Sequence, residues 1–268
     1  MRLTRVFIDG ALDAGSLVDL TRDTAAHLVK VLRARSGDEL VLFNGNGSEY
    51  SGTIETVRGA RVSASIGAAR LLDRESPFHL TLVQCVPRGD RMDFIVQKAT
   101  ELGVARIVPV LSRRSVVRLD AGQAASKQAH WRAVAVSACE QCGRNRLPAV
   151  EAPQPLLGYL GGLQPWEASV GSLRLVLEPE RASAGSHAAQ TTGIERSAAG
   201  GAQIAIGPEG GFAPEELEAF DLSAFARLSL GPRVLRTETA AIAAIAVLQA
   251  RFGDMSVVSD DPSRTADS

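Results

Sequence analysis

Apolar positions along this chain change their spacing twice. The changes divide it into an N-terminal stretch, a long middle and a polar end. Residues 1–72 read as a small β-rich domain with one helix. Leu28, Val31 and Leu32 form an apolar stripe flanked by Ala26, Val29, Lys30 and Arg33, which predicts an amphipathic helix over 23–34. Thr21 or Asp23 stands where its cap belongs. Alternating runs then predict strands over 39–44, 49–57 and 61–66, punctuated by Gly37-Asp38, by Asn44-Gly45-Asn46-Gly47 and by Gly59. Short strands joined by tight turns point to a barrel-like module.

From Leu80 the pattern becomes an alternation of strands and helices. Strands are predicted over 80–86, 104–110, 173–177, 203–206 and 227–230. Between them Asp90 opens a helix whose Met92, Ile95, Val96, Ala99 and Leu102 share one face, and Gly103 sits at its end. Further helices are predicted over 123–141, closed by Gly143, over 214–220 and over 237–252. Such alternation implies an α/β domain, here 73–253, with a mostly parallel sheet covered on both faces. The Ala-, Ser- and Gly-rich segment 181–202 reads as a mobile surface loop within it, and 254–268 as a disordered tail.

Composition narrows the picture. Apolar residues make up 45% and charged residues 22%, enough for a sizeable core, while only 4% are aromatic. Net charge is −1, so any nucleic-acid surface must be local. Three cysteines without secretory spacing suggest a reducing, cytoplasmic compartment, and neither a signal peptide nor a membrane-spanning run is evident. Cys139 and Cys142 form a lone C-x-x-C, read as small buried residues rather than a metal site, and His27, His79, His130 and His187 are scattered.

The chemistry concentrates in loops that leave predicted strands. One runs Ile206-Gly207-Pro208-Glu209-Gly210-Gly211-Phe212 into a helix opened by Pro214, with Glu215 and Glu216 in its first turn. Another runs Leu230-Gly231-Pro232-Arg233-Val234-Leu235-Arg236-Thr237, with Thr237 as a candidate N-cap. A third is Leu177-Glu178-Pro179-Glu180. Any one of them could be a plain strand-to-helix turn. Three at the carboxyl ends of strands can build one pocket, where open α/β sheets bind ligands. Glycines admit a ligand close to the backbone, and neither phosphate-binding glycine motif is present.

At these residues the chain resembles the SPOUT superfamily of knotted methyltransferases. It is similar in particular to the 16S ribosomal RNA (uracil-N3) methyltransferase family, through IGPEGGF at 206–212 and LGPRVLRTETAAI at 230–242. RVFID at 5–9, HLVKVLRARSGDELVLFNGNG at 27–47, RGDRMDFIVQKATELGV at 88–104, SRRSVVR at 112–118 and ACEQCGRNRLP at 138–148 extend the resemblance over about residues 2–252. Arg88 departs from the pattern where Lys is expected, Ala224 where Gly is expected, and the segment 181–202 looks expanded. The resemblance implies a trefoil-knotted C-terminal α/β domain, an N-terminal PUA-like β-barrel that binds RNA, and a homodimer. The alanine-rich stretch 240–250 suits such an interface, or packing within one subunit. The resemblance further implies S-adenosyl-L-methionine as cofactor, no metal, and N3 of a uridine of the assembled small ribosomal subunit, uridine 1498 in the family, as target. Another RNA, or a ribose 2′-hydroxyl, is the alternative substrate.

The pocket would then be lined by Leu177, Glu178, Pro179, Ile206, Gly207, Pro208, Glu209, Gly210, Gly211, Leu230, Gly231, Leu235, Arg236 and Thr237. Uracil N3 attacks poorly while protonated, so a base must take its proton or a cation must stabilise the resulting anion. Arg236 is the candidate for stabilising the anion, or else an intradomain ion pair; Glu209 is the candidate base or orienting group, with Glu238 nearby in sequence. For RNA, residues 88–118 hold seven basic against three acidic side chains, a local +4. Arg88, Arg91, Arg113 and Arg114 there, with Arg144 and with Arg2, Arg5, Lys30, Arg33 and Arg35 from the first domain, are the candidate phosphate contacts.

Overall fold

The computed structural model describes residues 3–59, 61–164, 172–178 and 201–255. Pro179, Glu180, His187, Arg2, most of the segment 181–202 and nearly all of the tail lie outside the described residues.

The N-terminal part is a five-stranded sheet in the order β1 (Thr4–Phe7), β3 (Glu39–Phe43), β4 (Ser48–Arg58), β5 (Arg61–Leu71), β2 (Leu17–Asp19). All pairs are antiparallel except β1 with β3. Its core is built from Val6, Leu20, Leu28, Leu40, Leu42, Ile54, Val62 and Ile66. Helix α1 (Arg22–Lys30) is shorter than the sequence pattern predicts. Thr21 caps it, its side chain accepting from Thr24 N–H. Beyond Lys30, Arg33 turns left-handed (φ 54°) and the Ala34 N–H bonds back to the Leu28 carbonyl, so the chain leaves the helix. Ala25 and Leu28 are therefore the buried pair, while Val31 and Leu32 are exposed.

The second part is a parallel sheet ordered β12 (Ala226–Leu228), β10 (Ser172–Leu177), β11 (Gly201–Ile206), β6 (Leu80–Cys85), β7 (Arg106–Leu111), β8 (Ala149–Val150). The short β9 (Gln154–Pro155) pairs with the far end of β7. Strand residues alternate between two cores, as a sheet buried on both faces requires. Leu82, Ile107, Leu175 and Ile204 face α2 (Arg91–Glu101), α3 (Ala121–Cys142) and α6 (Thr237–Phe252). Val83, Val108, Val176 and Ala205 face α4 (Leu156–Gly161) and α5 (Pro214–Leu222). Small side chains at Ala240, Ala241 and Ala244 let α6 sit close to this layer, so that face is consumed inside the subunit. No helix among the described residues is long and apolar enough to cross a membrane.

Helix ends follow local chemistry. Asp120 and Gln123 form a capping box on α3, and Gly143 ends it left-handed at φ 95°. The predicted cap Asp90 holds its position on α2 without a side-chain cap bond. Ala224, where the family pattern has Gly, sits at φ 60° just after α5. A left-handed alanine costs about 1 kcal/mol over glycine, so Ala224→Gly is expected to raise stability by about that amount, read as a higher denaturant midpoint at unchanged slope.

The two sheets are stitched together at the C-terminal end of α3. Arg144, only 4% exposed, pairs with the Glu75 carboxylate and donates to the Thr100 and Val104 carbonyls at 2.9 and 3.0 Å. Arg5, 9% exposed, pairs with Glu49 at 2.8 Å and donates to Asn145 Oδ1 at 2.5 Å. Arg74 reaches both Glu49 and the Gly143 carbonyl. Burial acts to raise the Glu49 pKa, but hydrogen bonds from Arg5 and Arg74 and their charges outweigh it and hold the carboxyl below its usual range. Arg5 and Arg144, candidates for phosphate contact on sequence, are corrected here: both are buried and committed to carboxylates and carbonyls, so neither guanidinium is open to RNA.

Candidate cofactor and RNA site

Loops leave β10, β11 and β12 at one edge of the sheet and surround a cavity of about 540 Å³. Leu177, Glu178, Ile206, Gly207, Pro208, Glu209, Gly211, Leu230, Gly231, Leu235, Arg236 and Thr237 all line it. Gly210 is not among the lining residues. Phe212, Leu217, Arg233, Val234 and Ala240 line it as well, although sequence reasoning left them out. Phe212, Arg233 and Val234 stand inside the two glycine-proline motifs, so the signal was present; Leu217 and Ala240 arrive one helical turn later by packing.

The first loop owes its shape to Phe212. A Cβ on Gly207 would stand 3.1 Å from the Phe212 ring, so any larger residue would make that ring give by a few tenths of an ångström. Phe212 meets Phe220 edge-on at 4.8 Å, and Phe220 meets Phe225 at 5.0 Å, which anchors the loop in the core. Pro214 opens α5, and the buried Glu216 carboxylate accepts from Ala213 N–H at 2.8 Å and Arg113 N–H at 2.7 Å. Arg114 donates to the Gly210 carbonyl at 3.0 Å, and Arg91 pairs with Glu209. The 112–118 segment thus braces the 206–216 loop.

The second loop is more exposed. Gly231 is left-handed at φ 92° with nothing within 4 Å of a would-be Cβ. Thr237 is not the N-cap of α6; Arg236 takes that position, and the Thr237 hydroxyl donates instead to the Gly207 carbonyl at 2.8 Å. The Arg236 guanidinium is exposed and makes no hydrogen bond or ion pair among the described residues. Glu178 accepts from Arg227 at 2.6 Å. Glu238 does not line the cavity, and its Oε2 is buried without a partner.

Beside the first loop, Arg113 and Arg114 are exposed, Arg113 pairing with Glu215, and Arg88 is exposed as well. Lys30, at the end of α1, and Arg33 and Arg35 just beyond it are exposed. Cys139 is buried and Cys142 half-buried. Contact with Cys142 and burial push the Cys139 thiol up, while contact with Cys139 lowers the Cys142 thiol to about 6 against the opposing effect of burial.

A parallel sheet whose strand-end loops enclose a small-molecule cavity is thus joined to a separate β module. The RNA methyltransferase domain family matches residues 74–249, and the RNA methyltransferase PUA domain family matches 20–65. A ribosomal RNA small subunit methyltransferase E of Buchnera aphidicola (Schizaphis graminum) is 30% identical over 257 residues, covering 95% of this chain and 99% of its own. The Bacillus subtilis protein of that name is also 30% identical, covering 85% and 88%. The crystal structure of a ribosomal RNA small subunit methyltransferase E from Neisseria gonorrhoeae, bound to S-adenosyl methionine, superposes with a TM-score of 0.82 at 35% identity, covering 95% of this chain and all of that one. The chain belongs to the ribosomal RNA small subunit methyltransferase E family.

Proposed function

We propose that this protein transfers a methyl group from S-adenosyl-L-methionine to N3 of a uridine in small-subunit ribosomal RNA. The observation that carries the reading is the cavity at the strand ends, with an unpaired arginine at its rim. About 540 Å³ falls within the range of small-molecule sites, roughly 300–1,000 Å³. Apolar walls from Leu177, Ile206, Leu230, Leu235 and Ala240 suit an adenine face. Open space above Gly211 and Gly231 leaves backbone groups accessible to polar edges, so the residues present fit this cofactor.

The cofactor supplies an electrophilic methyl on a sulfonium and needs no metal to do so. The chain's own task is to place N3 in line with it and to make N3 nucleophilic. Arg236 stabilises negative charge on the uracil as the N3 proton leaves. Glu209, paired with Arg91, orients the base while the N3 proton passes to solvent water, and the same ion pair fixes the loop beneath the base. Exposed Arg88, Arg113 and Arg114, with Lys30, Arg33 and Arg35 on residues 1–72, bind phosphates of the RNA, while 73–253 carries out the transfer. A target uridine in folded RNA must be splayed out to reach the cavity. The reading includes a homodimer, a C-terminal segment threaded as a trefoil knot, and action in the cytoplasm, where three unpaired cysteines persist.

The test is transfer from labelled S-adenosyl-L-methionine to small ribosomal subunits that lack their native modifications, followed by nucleoside analysis. Label in 3-methyluridine is the expected result. Label in a 2′-O-methyl nucleoside, or transfer only to another RNA, overturns the target assignment. The absence of both transfer and cofactor binding overturns the enzyme reading.

A further inference from the structure

Gln84 lies at the end of β6, fully buried and outside the lining of the cavity. Its Nε2 donates to the Cys85 carbonyl at 2.9 Å and to Thr237 Oγ1 at 3.0 Å. The Thr237 hydroxyl donates onward to the Gly207 carbonyl at 2.8 Å. This chain of bonds has one possible direction. A carbonyl can only accept, so Thr237 must give its single proton to Gly207 and must therefore accept from the Gln84 amide. Flipping the amide would set its oxygen against the Cys85 carbonyl. Gly207 and Thr237 belong to the two different loops, and among the described residues theirs is the one side-chain hydrogen bond between them. Gln84 Oε1 is buried with no partner, a cost that offsets part of what the two donated bonds contribute.

We infer that Gln84 is a positioning residue for the cofactor, acting through Thr237 and Gly207 to fix the spacing of the two loops. The inference rests on the reading that S-adenosyl-L-methionine occupies this cavity. Gln84 anchors the relay in the rigid sheet, whereas both glycine-proline loops lie at its edge. With the relay intact, the Gly207 carbonyl and the first turn of α6 are held before a ligand enters, so less ordering is needed on binding. The expected signature is a change in cofactor affinity with none in affinity for RNA.

The test uses the full chain, with cofactor binding followed by titration and both KM values by steady-state transfer. Gln84→Met keeps the volume but removes both donors. Thr237→Val keeps the shape but removes the hydroxyl, and Thr237→Ser retains it. Gln84→Met and Thr237→Val are each expected to weaken cofactor binding about tenfold, Thr237→Ser by less than about twofold, and the double variant no more than Thr237→Val alone. The KM for RNA should stay constant. Wild-type affinity in Gln84→Met, or losses that multiply to about a hundredfold in the double variant, would overturn the relay. If Gln84→Met does not fold, the Thr237 pair decides: wild-type affinity in Thr237→Val, which lacks the hydroxyl that Thr237→Ser keeps, overturns the inference. A wild-type protein that binds no S-adenosyl-L-methionine overturns the functional reading, and the relay with it. A binding wild type with unaffected variants overturns the relay alone.

Discussion

Arg236→Ala is expected to lower the rate of methyl transfer by about two to three orders of magnitude while leaving the protein folded. The rate follows from the chemistry of N3, whose anion has, among the described residues, no other free cation lining the cavity except Arg233, three positions earlier in the same loop. The unchanged fold follows from the position of Arg236. Its guanidinium has no partner among the described residues, and it sits at the N-cap of α6, where a positive charge opposes the helix dipole by about 0.3–1 kcal/mol. Removing it is therefore neutral or slightly stabilising, and a cation kept at an unfavourable place is what a catalytic role would require. Single-turnover transfer at saturating cofactor, with a melting curve on the same sample, checks both halves. A rate within threefold of wild type would remove Arg236 from the mechanism and leave Arg233 as the candidate.

Arg144→Met should do the reverse, costing stability before it touches chemistry. Arg144 is 4% exposed and is met by both oxygens of Glu75 and by two main-chain carbonyls. Loss of the guanidinium leaves the Glu75 carboxylate without its countercharge and two carbonyls unsatisfied. Breaking a buried pair from one side costs about 3–5 kcal/mol, which lowers Tm by about 10 °C in a chain of this size. Glu75→Gln/Arg144→Met should recover part of the loss, because the stranded charge is then gone. A melting point within about 2 °C of wild type would show that the C-terminal end of α3 does not depend on this pair.

Arg236 and Arg144 look alike in the sequence: each lies at a helix end within a few residues of a glycine or proline, and each belongs to a stretch that resembles the family. Only the fold separates them. Arg144 meets Glu75 across 69 positions of chain, and Arg5 meets Asn145 across 140. No spacing rule reaches that far, so both arginines counted as surface charge until the sheets were brought together. The same limit applies to Gln84, whose partner Thr237 is 153 residues away. A single glutamine in an apolar strand carries no local sign of what it bonds.

Local physics was legible wherever the partners were near. Period-two and period-3.6 spacing located the parallel-sheet domain, because each strand and helix must bury its own apolar face against whatever covers it. The left-handed Gly143 and the glycine-proline turns could be read because backbone conformation depends on the residue itself and its immediate neighbours. The pattern misled at α1, where Leu28, Val31 and Leu32 have helical spacing but a turn at Arg33 carries the last two into solvent. It also misled at Thr237, whose hydroxyl serves Gly207 rather than its own helix. The sequence by itself therefore determined the elements, the sheet type and the loops that bear the chemistry. Tertiary structure alone decided which cations are buried in ion pairs, which stand free at the cavity, and which hydrogen bonds join the two loops, since each of those is a contact between residues far apart along the chain.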